Sequence, residues 1–365
     1  MYARVIRPEI PLNRRVIAIS DIHGNLPYLQ GLLRKIDYQA GQDVLIIIGD
    51  IVERGEFNLE TLRFVMQLAA EPFVYVLCGN CDVFHKKLWK ARNDWEIAEY
   101  WNLSEHMLLG EMCKEICLDR TAVPHNVFLE TIEAHFSAEL RFLDGLPTIL
   151  ETEKYTFVHG GIPEQHIPLE CLQAKLCMKN DAYLYRGLCF DKYQVVGHWP
   201  VTLYATHYPD NRPNVNVAQR ICSIDGGCTL KLDGQLNALI LPSIDADTFT
   251  FAAYDKFPVY HAAQSQAVSA DWVFTKFSER QVRLLREGDE FSLVERCSDG
   301  KCFEAYNAFL FMYKGELCCD DYTDYRLPVA VGDELSVMYR TSRGTLCKKD
   351  GVMGWYDGTF LEEYV

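Results

Sequence analysis

Two aspartates, one asparagine and three histidines stand at, or just beyond, the ends of five apolar runs in this chain. Asp21 and His23 lie in Ser20-Asp21-Ile22-His23-Gly24-Asn25, and Asp50 lies in Gly49-Asp50-Ile51-Val52-Glu53-Arg54-Gly55. Asn80 lies in Gly79-Asn80-Cys81-Asp82, His159 in His159-Gly160-Gly161, and His198 follows Gly197. Hard oxygen donors combined with imidazoles suit a pair of divalent metal ions. Two metals side by side suit phosphoester hydrolysis. Each residue alone has an ordinary explanation, since an Asp after a strand is commonly a turn or a helix cap. Five strand ends delivering compatible donors go beyond that explanation.

The elements that must position these donors alternate between strand and helix. Residues 15–20, 43–48, 73–78, 155–158, 194–196, 221–224 and 236–241 read as strands. Apolar spacing predicts helices over 27–36 and 59–70. The run at 43–48 is β-branched and uninterrupted, as expected for a strand covered on both faces. In an open α/β sheet, functional groups collect beyond the carboxyl ends of the strands, which is where the donors fall. Residues 84–146 break the rhythm and read as a helical insertion. Asp225-Gly226-Gly227 reads as a turn.

The ordered set SDIHG, GDIVERG, GNCD, HGG and GH over residues 16–245 resembles the calcineurin-like metallophosphoesterase superfamily, and more narrowly its serine/threonine phosphoprotein phosphatase branch. The resemblance implies an α/β fold: a four-layer sandwich of mixed β-sheets flanked by helices. It implies two divalent metal ions, of manganese, iron or zinc. Asp21 and His23 would hold one ion, Asp50 would bridge both, and Asn80, His159 and His198 would hold the second. Arg54 would clamp a phosphate oxygen, which suits a bidentate guanidinium, and Arg186 resembles a second phosphate-binding arginine. The implied reaction is attack of metal-activated water on phosphorus.

The chain departs from that branch at Cys81 and Glu53. The branch has a His at the first position, protonating the leaving alkoxide, and an Asp at the second, orienting that His. A positioned general acid contributes ~10²–10⁴-fold. Cations near Cys81 are expected to depress its thiol toward thiolate, which cannot donate a proton. Three readings follow. The first is a phosphomonoesterase of the protein phosphatase type in which another group, His85 or metal-bound water, supplies the proton. The second is a small phosphodiesterase of the same superfamily, some of which carry GNCD, or a nucleotide or diadenosine polyphosphate hydrolase of that superfamily. The third is a weakly active metal-binding scaffold. The intact donor set argues against the scaffold, and Arg54 with the His159-Gly160-Gly161 segment favours the first reading, the phosphomonoesterase.

The chain has 365 residues, 49% of them hydrophobic, and a formal charge of −15. Two domains are expected at that length. The charge argues against nonspecific binding to nucleic acid or anionic membrane; the resemblance implies a phosphorylated protein or a small phosphoester as substrate. No apolar run approaches a membrane span. The 14 cysteines are scattered, which fits reduced thiols in a cytoplasmic protein. We expect a metallophosphoesterase domain over 1–258, a linker over 259–275 and a C-terminal all-β domain over 276–365 resembling a Src-homology-type small barrel. In that domain Trp355, Tyr356 and Tyr339 would either bind a peptide or protein partner or anchor the barrel core. Gly288-Asp289-Glu290 recurs as Gly332-Asp333-Glu334, marking either duplicated β units or two similar strand starts.

Overall fold

The computed structural model of the protein describes residues 1–104 and 106–361; positions 362–365 of the expected C-terminal domain lie outside the described residues. The chain forms two compact units, one of Met1–Pro200 with Pro213–Tyr254 and one of Val201–Arg212 with Asp255–Val365.

In the first unit the strands are β1 (Val5–Ile6), β2 (Val16–Ile19), β3 (Val44–Ile47), β4 (Val74–Val76), β5 (Ile149–Glu151), β6 (Tyr155–Val158), β7 (Tyr193–Val196), β8 (Asn214–Asn216), β9 (Ile221–Ser223), β10 (Leu236–Leu241) and β11 (Thr250–Tyr254). They form two mixed sheets, ordered β11-β10-β2-β3-β4 and β1-β5-β6-β7-β9-β8. Strands β2, β3 and β4 run parallel, as do β6, β7 and β9. Their carboxyl ends therefore share one direction within each sheet.

The unbroken Val-Leu-Ile-Ile of β3 is explained by its two covers. Val44 and Ile46, with Val16 and Ala18 of β2, pack against Leu150, Phe157 and Val195 of the other sheet. Leu45 and Ile47 pack toward helices α1 (Leu26–Lys35) and α2 (Asn58–Ala69), through Leu29, Leu32, Leu62 and Val65. Successive strand side chains point to opposite faces, so a strand buried on both faces has no polar position to alternate with. Between β4 and β5 the chain forms five helices: α3 (His85–Lys90), α4 (Asp94–Trp101), α5 (Leu108–Glu115), α6 (His125–His135) and α7 (Ser137–Gly145). A short α8 (Ala174–Met178) lies between β6 and β7. The α/β sandwich inferred from the motifs is the fold observed. Among the described residues no helix is long and apolar enough to cross a membrane.

The second unit is mostly strand: β12 (Val259–His261), β13 (Val282–Arg286), β14 (Phe291–Arg296), β15 (Cys302–Tyr306), β16 (Leu310–Tyr313), β17 (Glu316–Cys319), β18 (Glu334–Thr341), β19 (Gly344–Lys349) and β20 (Val352–Tyr356). They form three small sheets, β12-β18-β19-β20, β13-β14-β15 and β16-β17. Residues 259–275, expected as a linker, are part of this unit. Strand β12 pairs antiparallel with β18, and Gln266 Nε2 donates to the carbonyls of Leu327 (2.9 Å) and Trp355 (2.7 Å). The polar composition that suggests a linker is that of side chains bonding to backbone. Residues 201–212 also belong here rather than to the first unit. Asn211 N–H donates to Gly351 (2.9 Å), and Tyr208 stacks on Tyr325 at 4.7 Å.

Trp355 and Tyr356 are buried, which fits their expected alternative role as anchors of the barrel core rather than as exposed ligand-binding aromatics. Trp355 packs on Phe291 and donates from Nε1 to the Thr323 carbonyl at 2.8 Å, the partner a buried indole needs. Tyr339 is half-buried against Tyr306. The Gly-Asp-Glu repeats precede β14 and β18, which lie in different sheets. Only Gly332 adopts a left-handed conformation (φ 87°), so the two turns differ.

Candidate metal centre

The loops after β2, β3, β4, β6 and β7 bring the predicted donors together. Asp21, His23, Asp50 and His159 are all at most 2% exposed. His23 Nε2 lies 3.8 Å from Asp21 Oδ1 and 3.7 Å from Asp50 Oδ2. His159 Nε2 lies 3.3 Å from Asp50 Oδ2 and 3.9 Å from Asp21 Oδ1. Two groups could each hold a metal ion: His23, Asp50 and Cys81, and Asp50, His159 and His198, with the ligand atoms of each group within 4.8 Å of one another. Asp50 is common to both. Asn80 is half-buried beside the second group, its carboxamide 2.7 Å from His198 Nδ1.

The backbone is bent to make this arrangement. Asp21, His23, Asp50, Glu53, Arg54 and His198 all have positive φ, between 50° and 82°. Such conformations cost roughly 1–3 kcal/mol each for non-glycine residues and cluster where function demands them. Glycines admit the loops where they touch. A Cβ at Gly79 would lie 2.2 Å from Asp50 Oδ1, and one at Gly197 would lie 2.1 Å from Asp21 Oδ2.

The donor set fits divalent cations, as its unpartnered atoms show. His159 Nδ1 lies 2.8 Å from the Ile48 carbonyl, which fixes a proton on Nδ1 and turns Nε2 toward the carboxylates, where it could offer a lone pair to a metal ion. That buried Nε2 has no hydrogen-bond partner although two carboxylates face it; His23 Nδ1 is likewise buried and unpartnered. His198 is oriented from the other side, its Nε2 lying 2.8 Å from Asp181 Oδ1 while its N–H donates to Asp21 Oδ2 at 3.0 Å. Imidazole nitrogens and carboxylates converging in a buried space call for positive charge, supplied either by a proton or by a cation.

Protonation follows the same deficit. Burial pulls the His159 imidazole down, but Asp50 and Asp21 together push it up to about 10. Burial opposes ionisation of Asp50, yet His159 and His23 hold it well below the usual carboxylate range. Burial lowers His23 against the pull of Asp50 and Asp21, with Arg54 adding to the depression. Arg54 is exposed in its loop, its N–H donating to the His106 carbonyl at 2.9 Å.

Three of the predicted residues land differently. Cys81 is 1% exposed, and in the metal-free protein burial, followed by Asp50, pushes its thiol well up, so any drift toward thiolate would have to come from a bound cation. Its Sγ instead falls within the first metal-ligand group. Glu53 does not orient residue 81: Oε2 accepts from Leu108 N–H (3.0 Å) at the start of α5, and burial pushes its carboxyl up to about 8. His85 turns into the helical insertion, with Nε2 3.3 Å from Asp144 Oδ1 and the ring edge-on to Trp89. Its spacing from Cys81 is one turn of chain, but α3 begins at that point and carries the side chain away from the donors. Arg186 is exposed and its Nη1 donates to Asn180 Oδ1.

Two acids were missed. Asp82 is fully buried and accepts from the N–H groups of Gly79 (2.8 Å), Asp50 (2.9 Å) and Ile51 (2.8 Å), binding the β3 and β4 loops together. Its place beside Asn80 and Cys81 was the available signal. Asp225, read only as a turn residue, is fully buried, accepts from Gly227 N–H at 2.8 Å, and is pushed well up by burial and by Asp21.

A pH dependence follows for the metal-free protein. Glu53 is raised from 4.5 to about 8, Asp82 from 3.8 to about 7, by burial and then Asp50, and His159 from 6.5 to about 10. A group with a raised folded-state pKa stabilises the fold below its unfolded value and loses that contribution as pH rises through the folded one. The melting temperature in chelator should therefore fall as pH rises from about 4.5 to about 10, through Asp82 and Glu53 first and His159 last; a flat or rising profile by calorimetry would contradict these protonation states.

The fold and donor set define a metallophosphoesterase. Residues 14–220 match the family model described as calcineurin-like phosphoesterase, and the chain belongs to that family. Among curated relatives, "Bis(5'-nucleosyl)-tetraphosphatase, symmetrical" of Cellvibrio japonicus is 41% identical over 241 residues, covering 64% of this chain and 77% of the relative. The enzyme of the same name from Buchnera aphidicola is 45% identical over 65 residues; that match spans 18% of this chain and only 23% of the relative. A solved protein serine/threonine phosphatase from Saccharomyces cerevisiae is 10% identical with a TM-score of 0.41, covering 70% of this chain and 84% of that one.

Proposed function

We propose that this metallophosphoesterase hydrolyses phosphoanhydride bonds in dinucleoside polyphosphates, the second of the readings above, rather than alkyl phosphomonoesters of proteins. The names of the curated relatives support it. The observation that carries it is Cys81. A buried thiol stands where a general-acid imidazole would be needed, Glu53 is committed to Leu108 N–H, and His85 faces Asp144. A serine alkoxide leaves poorly without a proton. A nucleoside diphosphate leaves as a stabilised anion and needs none, so a site without that acid suits the anhydride.

Asp21 and His23 would hold one divalent ion, Asn80, His159 and His198 the other, with Asp50 shared. Bound there, the ions would supply Lewis acidity, making water nucleophilic near neutral pH and neutralising charge on the phosphoryl oxygens. The chain's own residues do the positioning. The Ile48 carbonyl and Asp181 fix the rings of His159 and His198, and Asp82 holds the backbone of Asp50. Arg54, exposed on its strained loop, would clamp a phosphoryl oxygen through its guanidinium fork.

Cys81→His tests the reading. Restoring an imidazole should speed phosphoserine turnover by about 10²-fold, the lower range of general-acid catalysis. Diadenosine tetraphosphate turnover should change by less than about threefold, since its leaving group gains little from protonation. Equal effects on both substrates would sink the argument.

A further inference from the structure

We propose that the open trough beside His198 is a subsite for phosphate groups beyond the one attacked, with Lys175 and Lys179 as its anion-binding residues. This rests on the dinucleoside polyphosphate reading and says which side chains give preference for a chain of phosphates. The trough has a volume of about 560 Å³ and is lined by Lys175, Leu176, Lys179, Asn180, Asp181 and Arg186.

Three observations meet there. The trough adjoins the metal centre, because Asp181, one of its walls, lies 2.8 Å from His198 Nε2. It is fixed in place by buried Asn180, whose Nδ2 donates to the Gly161 carbonyl (3.1 Å) after His159 and to the Leu176 carbonyl (2.6 Å) of α8, and whose Oδ1 accepts from Arg186. Its charge also runs against that of the chain. With 36 basic and 51 acidic residues overall, the protein lines this trough with three cations and one carboxylate. That carboxylate is already engaged by His198, and Lys179 is only 3.7 Å from it across an exposed pair. Exposed pairs at such distances contribute little, so Lys179 is available to an anion.

A monophosphate held by Arg54 and by metal ions bound at Asp50 would leave Lys175 and Lys179 unused. A polyphosphate chain carries further charges and acceptor oxygens outward, and the lysines are compact point charges suited to them. Discrimination between one phosphate and several is therefore expected to reside in these two residues.

Calorimetric titration of the metal-reconstituted enzyme, in saturating magnesium, with inorganic tripolyphosphate and with orthophosphate tests this. The wild type should bind tripolyphosphate about tenfold or more tightly than orthophosphate, the range for charge-assisted contacts. Lys175→Ala/Lys179→Ala should lose about tenfold on tripolyphosphate and less than about twofold on orthophosphate. Lys35→Ala/Lys87→Ala, which removes the same charge from exposed positions on α1 and α3, should change neither. Equal losses for both anions, an equal loss in the control pair, or no preference in the wild type would overturn the subsite. Separately, a wild type that prefers tripolyphosphate through these lysines but leaves diadenosine tetraphosphate intact would refute the substrate reading and retain the subsite.

Discussion

Asp50→Asn is expected to lower phosphoester hydrolysis by about 10⁴-fold or more while the protein stays folded, because metal-ion catalysis supplies several kcal/mol of transition-state stabilisation. Asp50 is the one residue common to both metal-ligand groups, and its Oδ2 approaches His159 and His23. An amide offers one neutral oxygen where the carboxylate offers two oxygens and a charge. Two cations sharing one anionic ligand would lose affinity together. The fold has a substitute for the other contact Asp50 makes, since an Asn Oδ1 can still accept from Cys81 N–H, now bonded to Asp50 Oδ1 at 2.7 Å. The check pairs metal analysis with p-nitrophenyl phosphate hydrolysis. Bound metal should fall from about two ions per chain to less than one. Full metal content with a rate within about tenfold of wild type would remove Asp50 from the centre of the account.

Asp82→Ala should act on stability first. It strips the acceptor from three buried N–H groups at short distance, those of Gly79, Asp50 and Ile51, and from a longer bond donated by Val52 N–H at 3.4 Å. Each orphaned donor costs about 1–3 kcal/mol, and the three share one loop junction, so about 3–5 kcal/mol in total is expected rather than their full sum. For a unit of this size that is a fall of about 6–20 °C in melting temperature. Activity should fall as well, because the N–H of Asp50 loses the bond that sets its backbone. Asp82→Asn, which keeps one accepting oxygen, should fall between the two. A melt of Asp82→Ala within about 2 °C of wild type would show that the loops do not depend on this carboxylate.

The sequence made the donors legible because each falls at a strand end marked by its own glycine-bearing motif. Strand β3 was legible for a similar reason: Val44–Ile47 has no polar residue to alternate with, and the structure buries it on both faces. What escaped was side-chain direction. His85 lies four residues past Cys81, but nothing in that spacing says that α3 starts there and turns the ring toward Asp144. Glu53 occupies the position of an orienting acid, yet its partner is the N–H of a helix 55 residues further on. Asp82 and Asp225 were visible as letters and invisible as buried acids, because burial at a loop end is set by tertiary packing. The second unit was misjudged at its edges for a related reason. A strand of three residues, β12, and the segment 201–212 are held by long-range backbone pairing that composition does not report.

The most direct test of the account is one comparison of kcat/KM for the metal-reconstituted full chain, on diadenosine tetraphosphate and on a phosphoserine peptide, with products separated by chromatography. A missing general acid is worth ~10²–10⁴-fold on an alkoxide leaving group. The account therefore predicts a preference of at least about 10²-fold for the tetraphosphate, abolished by chelation and restored by added metal. Equal or faster turnover of the phosphopeptide, or hydrolysis that survives chelation, would contradict it.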